Sequence, residues 1–117
     1  MATVLVIEDS PVMRNLAVEF LTDAGHIVLE AEDGQIGLQL FERHRPALVI
    51  TDILMPEREG LGSIRELRRI APTVPIIAIS ASAVYLDVAK QFGADVILHK
   101  PLRMPDLVAA VAKLLTA

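Results

Sequence analysis

The sequence predicts an α/β protein with a parallel β-sheet and helices on both faces of that sheet. Short apolar runs alternate five times with helical apolar patterns along the 117 residues, as in strands joined by helical crossovers. Several runs are apolar without interruption, which is typical of strands buried on both faces. The connections are short, with no repeat, linker or low-complexity segment. We therefore expect one domain over residues 1–117.

The first strand and the first helix are predicted within residues 3–25. Residues 3–7 form a β-branched apolar run. Ser10 and Pro11 then predict a helix start, because a serine oxygen can cap the first turn and proline suits the first helical position. Apolar residues recur at helical intervals as far as Gly25, and glycine commonly ends a helix.

The middle of the chain repeats the strand–helix alternation twice. A second strand is predicted at residues 26–31, and the helix after it ends before Pro46. The third strand begins with the apolar run 47–50, which gives way abruptly to Thr51-Asp52, and we expect the strand to end in Asp52. A third helix follows and closes before Pro72, because proline cannot continue a helix.

The last third of the chain contains two more strand–helix pairs. The fourth strand is predicted at residues 75–79, followed by a helix at 83–92 that Gly93 ends. The fifth strand covers residues 96–98, and the fifth helix begins near Pro105. Each strand is short and rich in valine, isoleucine and leucine, as a buried parallel sheet requires.

Composition excludes several classes of function. The net charge of −4 argues against direct binding to the negatively charged backbone of a nucleic acid. No apolar run approaches the roughly 18 residues that would suggest a membrane span. The N-terminus lacks the basic region of a signal peptide. The chain has no cysteine, which excludes disulfides and thiolate metal sites and fits a reducing, cytoplasmic compartment.

Polar residues gather at the predicted strand ends. These residues are Glu8 and Asp9, Asp52, Ser80 and Lys100. Because the carboxyl ends of parallel strands share one edge, we expect these side chains to converge there. Crowded carboxylates repel unless a cation lies between them, and Mg²⁺ prefers oxygen ligands of this kind. The ammonium group of Lys100 is expected to pair with Asp52.

Each of these residues has a simpler interpretation when it is taken alone. An aspartate after a strand often only caps a turn, and a single acid or lysine at a strand end is usually a solvated surface group. The combination is more specific than any of its members. We therefore interpret the five residues as one functional site.

The motifs resemble those of the receiver domain of two-component response regulators, the superfamily of the single-domain chemotaxis regulator. The resemblance covers the whole chain, through the acidic pair Glu8-Asp9, the TDILMP segment around Asp52 with Gly60 downstream, ISA at Ser80, and His99-Lys100-Pro101. It implies a flavodoxin-like (βα)5 fold with strand order 2-1-3-4-5. It also implies a cis Lys100–Pro101 bond.

The resemblance further implies a phosphorylation-controlled switch. Asp52 would take a phosphoryl group from a phosphohistidine on a sensor histidine kinase or phosphotransfer protein. Mg²⁺ would be held by Glu8, Asp9, Asp52 and the backbone carbonyl of Leu54. Lys100 and Ser80 would contact the phosphoryl oxygens. Slow self-dephosphorylation is expected of such a protein, which is not a dedicated enzyme.

The output surface implied by the resemblance consists of the fourth helix, the fifth strand and the fifth helix. It would serve a downstream protein target or output domain, or a homodimer. One residue departs from the family pattern, because Ile97 stands where a tyrosine or phenylalanine usually switches conformation. Tyr85, on the fourth helix, is expected to be an ordinary half-buried residue rather than a replacement.

Two alternative functions remain open on the sequence. An aspartyl-nucleophile phosphohydrolase is disfavoured because Leu54 stands where such enzymes carry a second aspartate. A non-phosphorylated interaction module on the same fold is favoured only by Ile97. No glycine-rich nucleotide-binding motif is present. His99 is expected to face away from the site, and the basic side of the third helix (Arg65, Arg68, Arg69) is expected to be solvated.

Overall fold

The computed structural model describes residues 2–53 and 59–116, except for the side chains of residues 59 and 60. Within these ranges five strands alternate with five helices. In chain order they are β1 (Thr3–Ile7), α1 (Pro11–Asp23), β2 (Ile27–Ala31), α2 (Gly34–His44), β3 (Leu48–Asp52), α3 (Glu59–Ile70), β4 (Ile76–Ser80), α4 (Ala83–Phe92), β5 (Val96–His99) and α5 (Met104–Thr116). No helix among the described residues has the length and hydrophobicity needed to cross a bilayer.

The five strands form one parallel sheet with the spatial order β2-β1-β3-β4-β5. The predicted flavodoxin-like (βα)5 fold is therefore confirmed. All five residues of β3 and of β4 are buried, whereas the edge strands β2 and β5 are mostly half-exposed. This difference explains why the central strands read as uninterrupted apolar runs.

The core consists of two layers, one on each face of the sheet. On one face, α2, α3 and α4 contribute buried side chains that include Phe41, Leu67 and Leu86. On the other face, α1 and α5 contribute buried residues that include Leu21 and Leu107. Burial of these apolar surfaces provides most of the stabilisation that holds the strand ends in register.

Local capping residues begin and end the helices where the sequence predicts. Ser10 Oγ accepts a hydrogen bond from Met13 N at the start of α1. Asp33 and Ser82 cap α2 and α4 in the same way. Gly93 ends α4 with φ near 118°, a left-handed conformation that glycine adopts without steric cost.

The third strand ends at Asp52, as the sequence predicts. The apolar run stops at Ile50, and β3 continues through the polar residues Thr51 and Asp52. Thr51 pairs with Ile7 of β1, and Asp52 pairs with Ile79 of β4. Neighbours on both sides therefore keep these two polar residues in the ladder, and Asp52 is buried rather than free in a loop.

The prediction of a solvated basic side on α3 is wrong for Arg68. Its guanidinium group donates to the carbonyl oxygens of Ala71, Pro72, Val74 and Gly93 and to Asp95 Oδ2. Arg68 thus ties the end of α3 to the start of β4 and to the end of α4. Arg65 lies over the Phe92 ring, with its Cζ atom 4.9 Å from the ring centroid.

We predict that Gly37→Ala destabilises the protein by about 1–3 kcal/mol because it overpacks the core. A Cβ atom at Gly37 would lie 2.8 Å from Ile7 Cγ1 and closer still to Ile7 Cδ1. Gly62→Ala is the matched control, because a Cβ atom there would meet no atom of the described residues within 4 Å beyond its own stretch of helix. It should stabilise α3 by about 0.5–1 kcal/mol. Urea denaturation measures both changes, and equal effects would contradict the packing argument.

Candidate functional site

The strand ends bring the predicted site residues to one edge of the sheet. β3 lies between β1 and β4, so Asp52 at its end is flanked by the ends of both. Lys100 N donates to the Ser80 carbonyl oxygen at 2.9 Å, which joins the ends of β4 and β5. Residues from four separate parts of the chain thus meet where ligands bind to open α/β sheets.

The side chains of Asp52 and Lys100 form an ion pair at this edge. Lys100 Nζ lies 3.1 Å from Asp52 Oδ2, and the Asp52 side chain is only 4% exposed, against 29% for that of Lys100. A small cavity of about 20 Å³ borders the pair, and apolar residues such as Ile50, Ile79 and Met104 form much of its wall. Because little water screens the charges there, their interaction is stronger than that of a surface ion pair.

Glu8, Asp9 and Asp52 form an acid cluster beside this ion pair. One carboxylate oxygen from each residue lies within 4.8 Å of the others. Glu8 is buried and Asp9 is exposed. Burial raises the pKa of Glu8 to about 7, and the negative charge of Asp52 adds to this shift. The hydrogen bond from Ser10 N to Glu8 Oε2 acts in the opposite direction and lowers the pKa. The cluster therefore holds more negative charge than its surroundings readily accommodate.

The acid cluster has the properties of a site for a hard divalent cation. Asp52 Oδ1 is buried, and no hydrogen-bond donor among the described residues reaches it. A buried carboxylate oxygen without a partner is costly, and a cation in the cluster would satisfy it. The donors are all carboxylate oxygens, which suits Mg²⁺. Leu54, the fourth predicted ligand, lies outside the described residues.

Ser80 connects the site to the start of α4. The residue is 1% exposed, and its Oγ accepts a hydrogen bond from Ser82 N at 3.1 Å. Ser82 in turn caps α4 through Tyr85 N. Movement of the Ser80 hydroxyl away from this position would therefore remove a hydrogen bond from the residue that caps α4.

The burial of Tyr85 and the exposure of His99 agree with what the sequence predicts. Tyr85 is half-buried on α4, and Ile97 is half-buried in β5 against the same core layer. His99 is exposed, and its Nδ1 contacts the Lys100 carbonyl oxygen at 2.7 Å. The Lys100–Pro101 peptide bond is cis, as predicted.

Arg14 is a residue that the sequence analysis missed. Its side chain is 18% exposed and lies against the backbone of the acid cluster. Arg14 Nη1 donates to the Glu8 carbonyl oxygen at 2.7 Å. No sequence signal could identify this contact, because the acceptor is a backbone atom that every residue type carries.

We predict that, without divalent cations, Glu8 makes the protein less stable as pH rises. The pKa of Glu8 is about 7 in the folded protein and near 4.5 in an ordinary carboxyl. The folded state therefore binds the proton more tightly, so this contribution is complete below the lower value and is lost as pH rises through the higher one. Glu8→Gln, which stays neutral, should reduce this loss. Urea denaturation in a chelator at about pH 5 and about pH 8 measures it, and an unchanged pH slope in Glu8→Gln would contradict the prediction.

Comparison with known proteins identifies similar chains. The family model for the response regulator receiver domain matches residues 4–112. The transcriptional regulatory protein PdtaR of Mycobacterium tuberculosis is 40% identical over 111 residues, which cover 92% of this chain and 54% of that protein. The chemotaxis protein CheY of Halobacterium salinarum is 33% identical over 116 residues, which cover 97% of each. The chain thus spans about half the length of the first relative and nearly all of the second.

A solved structure supports the same assignment. A response regulator receiver domain protein from Clostridium thermocellum superposes with a TM-score of 0.91 at 28% sequence identity. The match covers 99% of this chain and 95% of that one. The likeness therefore extends over the entire sheet and its helices.

Proposed function

This chain belongs to the response regulator receiver domain family of two-component signalling, and from that membership we propose that it is a switch controlled by phosphorylation of Asp52. The observation that carries the proposal is the buried Asp52 carboxylate, which lies 3.1 Å from Lys100 Nζ and within 4.8 Å of a carboxylate oxygen of Glu8 and of Asp9. A purely structural aspartate would not need this combination of a cation and additional acids.

The proposed reaction transfers a phosphoryl group from a protein phosphohistidine. The Asp52 carboxylate attacks phosphorus, a P–O bond forms, and the P–N bond breaks with its electron pair remaining on the imidazole. Lys100 would neutralise negative charge on the phosphoryl oxygens. The Ser80 hydroxyl would then donate a hydrogen bond to one of these oxygens, and this bond would connect β4 to the modified aspartate.

Mg²⁺ is the cofactor that we propose for this site. Glu8, Asp9 and Asp52 would hold it, with the Leu54 carbonyl as a further ligand. When bound, it supplies positive charge that stabilises the transferring phosphoryl group. The protein's own contribution is to hold three acids close together at a cost in repulsion and burial, so that an oxygen-binding cation is favoured there.

We propose a sensor histidine kinase or phosphotransfer protein as the phosphodonor. The helix that begins beside Glu8 and Asp9 carries three exposed apolar side chains at four-residue spacing: Val12, Leu16 and Phe20 are 68%, 37% and 38% exposed. This spacing puts them on one face of α1. An exposed apolar stripe on the helix that follows Glu8 and Asp9 supports a donor that is itself a protein.

The proposed response is a change in the surface formed by α4, β5 and α5. Phosphorylation adds about −1.5 to −2 charge, and movement of the Ser80 hydroxyl towards it would release Ser82 N at the start of α4. The populations of two loop arrangements would then shift. With Ile97 in β5, we expect the response to run through α4. The surface would bind a downstream target, an output domain or a second copy of the chain, in the cytoplasm.

We predict that acetyl phosphate and Mg²⁺ add one phosphoryl group to the protein and that Asp52→Asn abolishes the addition. Intact mass spectrometry measures the adduct. Asp23→Asn, which changes an exposed aspartate at the end of α1, is the matched control and should keep it. An unmodified but folded wild-type protein would favour the non-phosphorylated module, and rapid multiple turnover of the donor would favour a phosphohydrolase. Gel filtration of the phosphorylated protein tests the proposed homodimer.

A further inference from the structure

Arg14 holds the backbone of the acid cluster from the first turn of α1. Its Nη1 donates to the Glu8 carbonyl oxygen at 2.7 Å, and its Nε lies 3.4 Å from Glu30 Oε1 near the end of β2. The Arg14 side chain is largely buried, and that of Glu30 is 45% exposed. The guanidinium group therefore bridges the end of β1 and the edge strand β2.

The carbonyl that Arg14 holds belongs to the peptide unit that joins Glu8 to Asp9. Because a peptide unit is planar, fixing its oxygen also restricts where the nitrogen and Cα of Asp9 lie. The last ladder pairs of β1 are Ile7 with Ala31 and Ile7 with Thr51, so this carbonyl lies beyond the strand pairing. A side-chain donor there performs the orienting role that a neighbouring strand performs earlier in β1.

Three other hydrogen bonds support this loop. Glu8 N donates to the Ala31 carbonyl oxygen at 3.0 Å, and Glu8 Oε2 accepts from Ser10 N at 3.1 Å. Arg14 N also donates to the Ser10 carbonyl oxygen at 2.9 Å. The two acids therefore lie in a short turn whose ends are held by β2 and by α1, and Arg14 supplies the contact to its central peptide.

We propose that Arg14, anchored by Glu30, is a positioning residue for the cation site. It orients the Glu8–Asp9 peptide so that both carboxylates reach the position between them and Asp52. The inference deepens the proposed function, because the cation concerned is the one proposed for phosphorylation of Asp52. Arg14 itself is not expected to contact the cation or the phosphoryl group.

Positioning and charge predict opposite effects for the loss of Arg14. Removing a positive charge beside three acids leaves the cluster more negative, so electrostatics alone would strengthen Mg²⁺ binding. Loss of an orienting contact would weaken it, because contacts that orient metal ligands typically contribute about 10-fold or more to metal affinity. The sign of the change in affinity therefore separates the two explanations.

The test measures Mg²⁺ affinity directly by isothermal titration calorimetry on the full chain. Arg14→Ala is expected to weaken Mg²⁺ binding about 10-fold, and Arg14→Lys to give an intermediate value, because an ammonium group can replace only part of the two-point contact. The amide resonance of Asp9, followed by NMR during the titration, should report an altered loop in Arg14→Ala.

Glu30 provides an independent arm of the same test. Glu30→Gln keeps an acceptor for the Arg14 Nε–H and is expected to change Mg²⁺ affinity less than Glu30→Ala does. The double variant Arg14→Ala/Glu30→Ala should bind no more weakly than Arg14→Ala alone, because Glu30 acts through Arg14. Additive losses would overturn the anchoring role of Glu30.

Two control variants test whether a change in net charge or a loss of stability alone weakens Mg²⁺ binding. Arg43→Ala removes an exposed arginine on α2 and controls for net charge. Leu114→Ala removes a half-buried side chain in the last turn of α5 and controls for lost stability, which urea denaturation of every variant measures. Both controls should bind Mg²⁺ as the wild type does, and a weakening in Leu114→Ala equal to that in Arg14→Ala would overturn the positioning role.

The outcomes distinguish this inference from the proposed function. Unchanged or tighter Mg²⁺ binding in Arg14→Ala, with normal phosphorylation of the wild type, would overturn the positioning role alone. Weaker binding in Arg14→Ala, with a wild type that acetyl phosphate does not modify, would support the positioning role and overturn the proposed function. A wild type that does not bind Mg²⁺ would overturn both.

Discussion

Replacing Lys100 with methionine is expected to slow phosphorylation of Asp52 by acetyl phosphate about 100-fold. Methionine keeps an unbranched apolar stem but removes the ammonium group that lies 3.1 Å from Asp52 Oδ2. The loss of one preorganised charge-stabilising group in a site with little water typically reduces the rate of the chemical step by 10²–10³-fold, roughly. The initial rate of adduct formation, followed by intact mass spectrometry at saturating Mg²⁺, measures the effect.

A second lysine provides the control for this substitution. Lys113 is exposed in the last turn of α5, so Lys113→Met changes the net charge equally and should leave the rate unchanged. If the Lys100→Met protein reacts at the wild-type rate, Lys100 does not contribute to phosphoryl transfer. Its contact with Asp52 would then have only a structural role, as a partner for a buried carboxylate.

Arg68→Ala is expected to lower the free energy of unfolding by about 3 kcal/mol, the largest stability effect that we predict. The guanidinium group of Arg68 donates to four backbone carbonyl oxygens and to Asp95 Oδ2. Asp95 Oδ2 also accepts from Ile76 N, the first residue of β4. Removal of Arg68 would leave several partly buried acceptors without this donor.

The neighbouring residue is a matched control of the same type. Arg69 pairs with Glu66 on the exposed surface of α3, and its side chain is 69% exposed. Arg69→Ala should therefore change stability by less than about 0.5 kcal/mol. Urea denaturation measures both variants, and equal losses would show that the carbonyl contacts of Arg68 contribute little.

The Arg68 contacts also bear on how the proposed switch would move. The Gly93 carbonyl oxygen, immediately after α4, accepts a hydrogen bond from Arg68 Nη2 at 2.7 Å. At the other end of α4, the backbone N–H of Ser82 donates to Ser80 Oγ. One end of the helix is thus held from α3, and the other end is held by a site residue. A change at Asp52 would on this basis displace the start of α4 more than its end.

The acid cluster illustrates a cost that proteins accept at functional sites. Three carboxylates within 4.8 Å of one another, two of them buried, destabilise the folded protein unless a cation or a proton is present. The raised pKa of Glu8 reflects this unfavourable free energy of the charged form. A ligand that binds the folded state offsets it by mass action, so chelation and pH should both affect stability through this one cluster.

The alternation of strands and helices and most helix starts could be predicted from the sequence alone. Apolar periodicity and capping residues such as Ser10 and Gly93 are local signals, and they act within one turn of the chain. The convergence of Glu8, Asp52 and Lys100 also followed without coordinates, because the rule for parallel strands places their ends at one edge. The order of the strands came from family resemblance and not from the periodicity.

The residues that support these side chains, and the depth at which they are buried, could not be predicted because both depend on contacts between distant parts of the chain. Asp52 is buried because β3 lies between β1 and β4, which both pair with its last residues, and the apolar run alone does not reveal how deeply the carboxylate lies. Arg14 and Arg68 appear in the sequence as ordinary surface cations. Their principal acceptors are backbone carbonyl oxygens, and these groups are the same in every residue, so their positions depend on the fold and leave no mark in the sequence.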